Sequence, residues 1–315
     1  MAGAFLKQIM NITHIVTPEE EGLTLQQILR SVMGLSGREA RNAKAQNGVT
    51  VDGAPFFSNQ KVRAGMQVCV RLEYYQPAET IACAALPPVE IVYEDEALIA
   101  VHKPALLQCH PSPSAPGGSD TLESRVSAYL GVPAHPVHRL DAETTGIVLF
   151  AKLPYVQAHL QRQMQEGSFH KEYEAWCFGR PTQNEAIIDA PIEREHPDSF
   201  TRVVRPDGQP AISRYTVLES FILDENQVIS RLSLSPLTGR THQLRVHMTH
   251  IGCPLLGDTR YFTEQSKAAS ERLTLTYHQL AAVKLSFIHP ISGTSVALSH
   301  PAVFSFTPES IRSLH

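Results

Sequence analysis

Apolar and polar positions divide the chain into three stretches. In the first, up to residue 72, short alternating runs meet helical periods. Residues 12–16 (ITHIV) alternate as a strand. Thr24 stands before the apolar period of LQQIL as a fitting N-cap. Ser36-Gly-Arg-Glu39 has capping-box spacing and opens a second helix to about Gln46, which Asn47-Gly48 ends. VTV, an Asp52-Gly53 turn and MQVCVRL then predict a small sheet.

Residues 73–88 (EYYQPAETIACAALPP) show no period and close on two prolines, which predicts a linker. From Val89 the pattern is strand-rich. EIVYE and ALIAVHK meet at Asp95-Glu96. SDTLESRVSAYLG and PYVQAHLQRQMQEG are helical, the second with Pro154 at its first turn. GIVLFAK, EYEAWCFG, ISRYTVLESF, VISRLSLSP, HQLRVHM and QLAAVKLSF predict strands. The expected fold class is α+β. It comprises a mainly antiparallel mixed β-sheet with flanking helices over 89–315, and a small N-terminal α/β module over 1–72.

Composition adds little for most of the 315 residues, of which 43% are hydrophobic and 18% charged. No apolar run reaches the length of a membrane span, and the N-terminus lacks a signal-peptide layout. Five scattered cysteines predict reduced thiols and a cytoplasmic protein. Charge changes the picture more. The net value is −4, yet residues 22–72 carry seven basic residues against Glu39 and Asp52, a local balance of +5. Such asymmetry fits a module that meets nucleic acid. Arg38, Arg41, Lys44, Lys61 and Arg63 are its candidate RNA contacts.

Candidate chemistry is concentrated in HRLDAETTGIVLFAK, residues 138–152. Asp141 sits in a short polar loop beside Arg139, ahead of a glycine turn and a buried strand, an arrangement that aims one carboxylate. Glu143 reads as a solvated neighbour. In LTGRTHQLRVH, residues 237–247, a strand reading puts Gln243, Arg245 and His247 on one face and His242, Leu244 and Val246 on the other. Arg245 could then pair with a carboxylate. Tyr173 of HKEYEA could present its ring to a base. His242 and His247 fall on opposite strand faces, no Cys-x-x-Cys exists, and no phosphate loop or dinucleotide fingerprint appears. No metal and no cofactor are expected. Rival readings are a nucleoside or RNA glycosidase, which usually needs a second acid or base to activate water, and an inactive RNA-binding protein. A serine hydrolase would need a Gly-x-Ser-x-Gly elbow, which is missing.

At these residues the chain resembles the RluA family of pseudouridine synthases. KPALLQCHPS (103–112), HRLDAETTGIVLFAK, HKEYEAWCFG and LTGRTHQLRVHM occur in the family's order, and residues 22–72 resemble the alpha-L RNA-binding motif. Thr145 and Ile147 stand where serine and leucine are usual, and Leu107 or a nearby residue replaces a glycine. The resemblance implies isomerisation of uridine to pseudouridine in ribosomal or transfer RNA, without a cofactor. It implies catalytic roles for Asp141, Arg245 as its ion-pair partner, and Tyr173 stacked on the base. Arg139, with His138, Arg240, His242 and Gln243, would contact substrate. Structured RNA is the expected partner, with no DNA, no membrane and a monomeric chain.

Overall fold

The computed structural model describes residues 5–77, 86–111, 120–224 and 227–307. The N-terminal module contains β1 (Phe5–Ile15), α1 (Leu25–Gln27), α2 (Gly37–Ala45), β2 (Val49–Val51), β3 (Ala54–Pro55) and β4 (Gln67–Pro77), with a sheet ordered β1-β4-β2-β3. Both expected caps form. Thr24 N donates to Gln27 Oε1 (2.8 Å), and Ser36 N donates to Glu39 Oε2 (2.7 Å). A π-helical turn, Ile28–Val32, continues α1.

Asn47 takes a left-handed φ of 52°, ending α2 as expected. Asp52 and Gly53 both have positive φ, but their turn joins β2 to β3 before the chain enters β4. β1 is longer than ITHIV because it pairs with β4 from Phe5 onward. β4 in turn carries residues 73–77, so these are strand and not linker. Of the rest of the expected linker, 78–85 lie outside the described residues and 86–88 form no helix or strand.

The body begins with β5 (Glu90–Glu94), β6 (Leu98–Lys103), α3 (Leu122–Leu130), β7 (His135–Pro136), β8 (Thr145–Ala151), α4 (Pro154–Glu166) and β9 (His170–Phe178). It continues with β10 (Glu185–Asp189), β11 (Ile192–Arg194), β12 (Arg202–Val204), β13 (Ile212–Asp224) and β14 (Gln227–Pro236). α5 (Gln243–His250), α6 (Glu264–Arg272), β15 (Leu280–Ile288) and β16 (Ser295–Ser299) complete it. The large sheet runs β10-β13-β14-β9-β15-β8-β6-β5, with β16 on β15 and β7 on β8. Only β15–β8 is parallel, so the expected mainly antiparallel mixed sheet is correct. β8 is buried at every position, which explains its unbroken apolar run.

One expectation fails: residues 243–250 form helix α5, not a strand. A helix that polar EQSKAASER concealed, α6, follows Thr263. Leu106, next to Leu107, adopts a left-handed φ of 64° and is exposed.

The module and the body share one apolar core. Leu29, Met33 and Leu35 pack in the same cluster as Tyr155, Val156 and Leu160 of α4. Leu29 and Leu160 are fully buried, each contributing about 2 kcal/mol. Tyr155 Oη donates to Met33 O at 2.8 Å, and His159 Nε2 reaches the same carbonyl at 2.9 Å. Gly34 has a φ of 72°, and a Cβ there would lie 2.6 Å from His159 Nε2. Only glycine lets the backbone come so close to α4.

Candidate active site

The loop between β7 and β8 is fastened almost residue by residue. Leu140 N donates to Cys109 Sγ (3.3 Å). Lys103 is fully buried, and its Nζ donates to Ala142 O at 2.6 Å, Leu107 O at 2.8 Å and Pro104 O at 2.9 Å. Burial pushes the Lys103 ammonium down to about 8, while the nearby Cys109, Asp141 and Glu143 act the other way. Thr144 N closes a turn onto Asp141 O (3.1 Å), and Thr144 Oγ1 meets His278 Nε2 at 2.7 Å. Glu143 is not free in solvent, since its Oε2 lies 2.9 Å from Nδ1 of the buried His278. That contact lowers the Glu143 pKa.

Gly146 anchors the exit of the loop. Its φ is 108°, and a Cβ would fall 2.5 Å from Ala282 N of β15. The small residue therefore sets the approach of β8 to β15.

Asp141 meets Arg245 at the end of this loop. Arg245 Nη1 donates to Asp141 Oδ2 at 3.2 Å. Its principal partner is one that the sequence reading missed. Nε and Nη2 donate to Asp258 Oδ2 and Oδ1 at 2.7 and 2.8 Å, a bidentate pair in the interior. Asp258 also accepts from Arg260 N (2.9 Å) and Tyr261 N (3.0 Å). Burial works against charge on Arg245, yet Asp258 and Asp141 outweigh it and raise its pKa. Burial likewise opposes charge on Asp258, and Arg245 overrides it, holding that carboxyl below its usual range.

The Arg245 guanidinium lies over the Tyr261 ring, 5.0 Å from its centre. Tyr261 Oη is 2.8 Å from His242 Nδ1, and His242 Nε2 is 3.9 Å from Asp141 Oδ2. Burial drives His242 down to about 4. α5 explains this convergence. His242, with a φ of 57°, turns the chain into a helix whose residues 243–248 are all buried, and Arg245 lies on its first turn.

Arg139, Asp141, Tyr173, Arg240, His242, Gln243 and Arg245 line one hollow of about 160 Å³, the extent of several water molecules. Tyr173 is buried on β9; burial first, then Asp141 and Cys109, raise its hydroxyl pKa. A larger groove of about 1450 Å³ adjoins it through Arg139, Lys171 and Arg240. Lys171 and Arg214 on its walls were not foreseen from sequence.

Three of the expected substrate contacts also make internal hydrogen bonds. Gln243 spends all four of its hydrogen bonds internally, on Thr238, Arg240 N, Ile212 O and Ser213, so it braces the loop and has nothing left for substrate. Arg240 is exposed but tied to Pro210 O and Gln209, both at 2.9 Å. His138 is half-buried on the wall of the larger groove, its Nε2 accepting from Leu149 N at 3.3 Å, and burial pushes it down to about 3.

In the module, Arg38, Arg41, Lys61 and Arg63 are exposed, whereas Lys44 is half-buried on Ser58 Oγ (2.6 Å). Arg30 and Arg41 converge beside Gly37, their Nη1 atoms 3.0 and 3.6 Å from where a Cβ would stand. Among the described residues, the one cluster with metal-ligand spacing, Glu90, His102 and His300, does not line the hollow. No helix there is long and apolar enough to cross a membrane.

The sequence profile of the RNA pseudouridylate synthase family matches residues 97–250. The chain is 37% identical over 254 residues to ribosomal large subunit pseudouridine synthase D of Escherichia coli K12, covering 77% of this chain and 75% of that protein. It is 31% identical over 274 residues to an uncharacterised RNA pseudouridine synthase of Bacillus subtilis, covering 85% and 92%. The fold of human RNA pseudouridylate synthase domain containing 1 superposes with a TM-score of 0.57 at 22% identity, over 72% of this chain and 94% of that one. By its matched profile and these relatives, the chain belongs to the RluA family of RNA pseudouridine synthases.

Proposed function

We propose that the protein isomerises particular uridines of structured RNA, ribosomal RNA foremost, with Asp141 as the catalytic carboxylate. The observation that carries this reading is the placement of Asp141. It is held against Arg245, on a loop pinned by Lys103, Cys109 and His278, at the wall of a hollow sized for one base. The named relatives that act on the ribosomal large subunit supply the substrate class.

The target nucleotide leaves its stack to enter the hollow, because the sugar–base bond is out of reach inside a helix. Asp141 acts at the ribose as the bond from C1′ to N1 breaks. The base turns, C5 bonds to C1′, C5 gives up its proton and N1 gains one. Nothing is oxidised and no group is transferred, so the site's own residues suffice. Tyr173 holds its proton, since burial and Asp141 disfavour the phenolate. It therefore offers a ring face and a hydroxyl, not an anionic base. Arg139, exposed where the hollow meets the groove, is suited to keep the displaced base out of its stack. The arginines beside Gly37, with the exposed Arg38, Lys61 and Arg63, are the module's contacts to phosphate.

Hydrolysis fits less well. Of the carboxylates nearest in the network, Asp258 is buried with both oxygens on Arg245, and Glu143 lies against His278, so neither is placed as a plain water-activating base beside Asp141. Asp141→Asn tests the proposal. Tritium release from carbon 5 of labelled uridine should fall to background while RNA binding and the folded spectrum persist. Near-normal release by the variant would overturn the assignment, and free uracil among the products of the wild type would favour hydrolysis.

A further inference from the structure

We propose that Glu90, His102 and His300 bind one divalent transition-metal ion of the zinc, cobalt or nickel kind, as a clamp on the rim of the large sheet, apart from catalysis. The three residues come from distant points in the sequence. Glu90 and His102 face each other across β5 and β6, the outermost pair of the sheet. His300 follows β16, and its backbone N–H is fixed to Val283 O at 2.9 Å.

The donor spacing fits such an ion. Glu90 Oε2 is 3.1 Å from His102 Nδ1, and Glu90 Oε1 is 3.1 Å from His300 Nε2. One ligand atom from each of the three residues can be chosen so that all lie within 4.8 Å of one another. Zinc–nitrogen and zinc–oxygen bonds near 2.1 Å imply edges of roughly 3.4 Å between tetrahedral ligands. Each imidazole is already near that distance from one Glu90 oxygen, His102 from Oε2 and His300 from Oε1, so a carboxylate that grips the ion with both oxygens would use both contacts. The imidazoles lie stacked with centres 4.5 Å apart. Glu90 is 62% exposed and has room to adjust around an ion.

Protonation also calls for a cation. His300 Nδ1 is 2.9 Å from Pro301 O, a group that only accepts, so Nδ1 carries the proton. In the neutral ring Nε2 then bears a lone pair, facing a carboxylate oxygen that also bears lone pairs. A proton or a metal ion must lie between them. This is the outer hydrogen bond that orients ligand histidines in metal sites. His102 turns Nδ1 toward Glu90, so Nδ1 is the ligand atom that this ring offers. Two imidazoles with one carboxylate suit borderline ions and not magnesium or calcium. The ion would tie β5 and the chain after β16 to β6. The next residue of β6, Lys103, holds the Asp141 loop from the opposite face of the strand.

Chelator-stripped protein titrated with Zn²⁺ in a calorimeter, and with Co²⁺ followed by its visible absorption, tests the site. One ion per chain is expected, with affinity reduced roughly 10- to 100-fold in both His300→Ala and Glu90→Gln. Circular dichroism should show both variants folded. Turnover should be the same in stripped and loaded wild type. Failure of the wild type to saturate with one ion overturns the proposal. So does unchanged affinity in both variants, which would place the ion elsewhere. Dependence of turnover on the ion would overturn its separation from catalysis.

Discussion

Arg245→Met separates what the two carboxylates beside Arg245 do. Asp258 has no exposed side-chain surface, and both of its oxygens face the guanidinium. Removing the arginine leaves a buried carboxylate uncompensated, which costs about 3–5 kcal/mol. Asp141 contributes little to that figure. Its side chain is 32% exposed, so water replaces the lost partner and its share is at most about 1 kcal/mol. In a body of this size, a loss of 3–5 kcal/mol lowers the melting temperature by roughly 10 °C. Adding Asp258→Leu removes the stranded charge and should restore part of the loss. Recovery is incomplete because the N–H groups of Arg260 and Tyr261 lose their acceptor, at about 1 kcal/mol each. Urea melts at neutral pH and tritium release would be measured on the same samples. Stability should rank wild type, Asp141→Asn, the double variant, then Arg245→Met, with turnover lost in all three variants. Equal destabilisation by Asp141→Asn and Arg245→Met would refute the division of roles. A double variant no more stable than Arg245→Met would refute the stranded-charge argument.

Acidification should weaken the fold through His138. Burial holds its folded pKa near 3 against 6.5, so the unfolded chain takes up the proton first. Stability is fully present above pH 6.5 and falls below it, by about 2 kcal/mol at pH 5, and His138→Gln should flatten that slope in urea melts across this range. Gly146→Ala drives a methyl into the Ala282 backbone at a positive φ and should cost at least about 2 kcal/mol, with turnover lost alongside stability; a neutral effect in thermal melts would contradict the close approach. Replacing Arg30 and Arg41 together by glutamine should lower the dependence of log affinity on log salt by about 1.5 for an RNA substrate, with Asp141 chemistry intact once RNA is saturating.

The sequence carried the Asp141 loop, its Arg245 partner and the strand behind it, because Asp141, the Gly146 turn and the run of β8 are contiguous and chemically unusual. It carried the caps of α1 and α2, because Thr24, Ser36 and Glu39 act over three residues. It did not carry α5. Leu244, Val246 and Met248 alternate as they would in a strand, and since residues 243–248 are all buried no exposed face marks the helical period. Asp258, Tyr261 and His278 were equally hidden. Each is an ordinary residue whose role exists only because the chain returns to the Asp141 loop more than a hundred residues later. Lys103 lay inside a quoted motif, but its function depends on three carbonyls that only the fold brings together.

The seam between α4 and Met33 joins two parts of the chain that lie far apart in sequence. Tyr155 and His159 grip one carbonyl beside Gly34, so the module that carries the arginines packs on the same core as β8 behind Asp141. With those arginines on phosphates, as proposed, the seam would work as a measuring gauge, accepting an RNA where phosphates and uridine are separated by the span that it sets. Selection among chemically identical uridines would then rest on RNA architecture, with the bases near the target acting through the shape they impose.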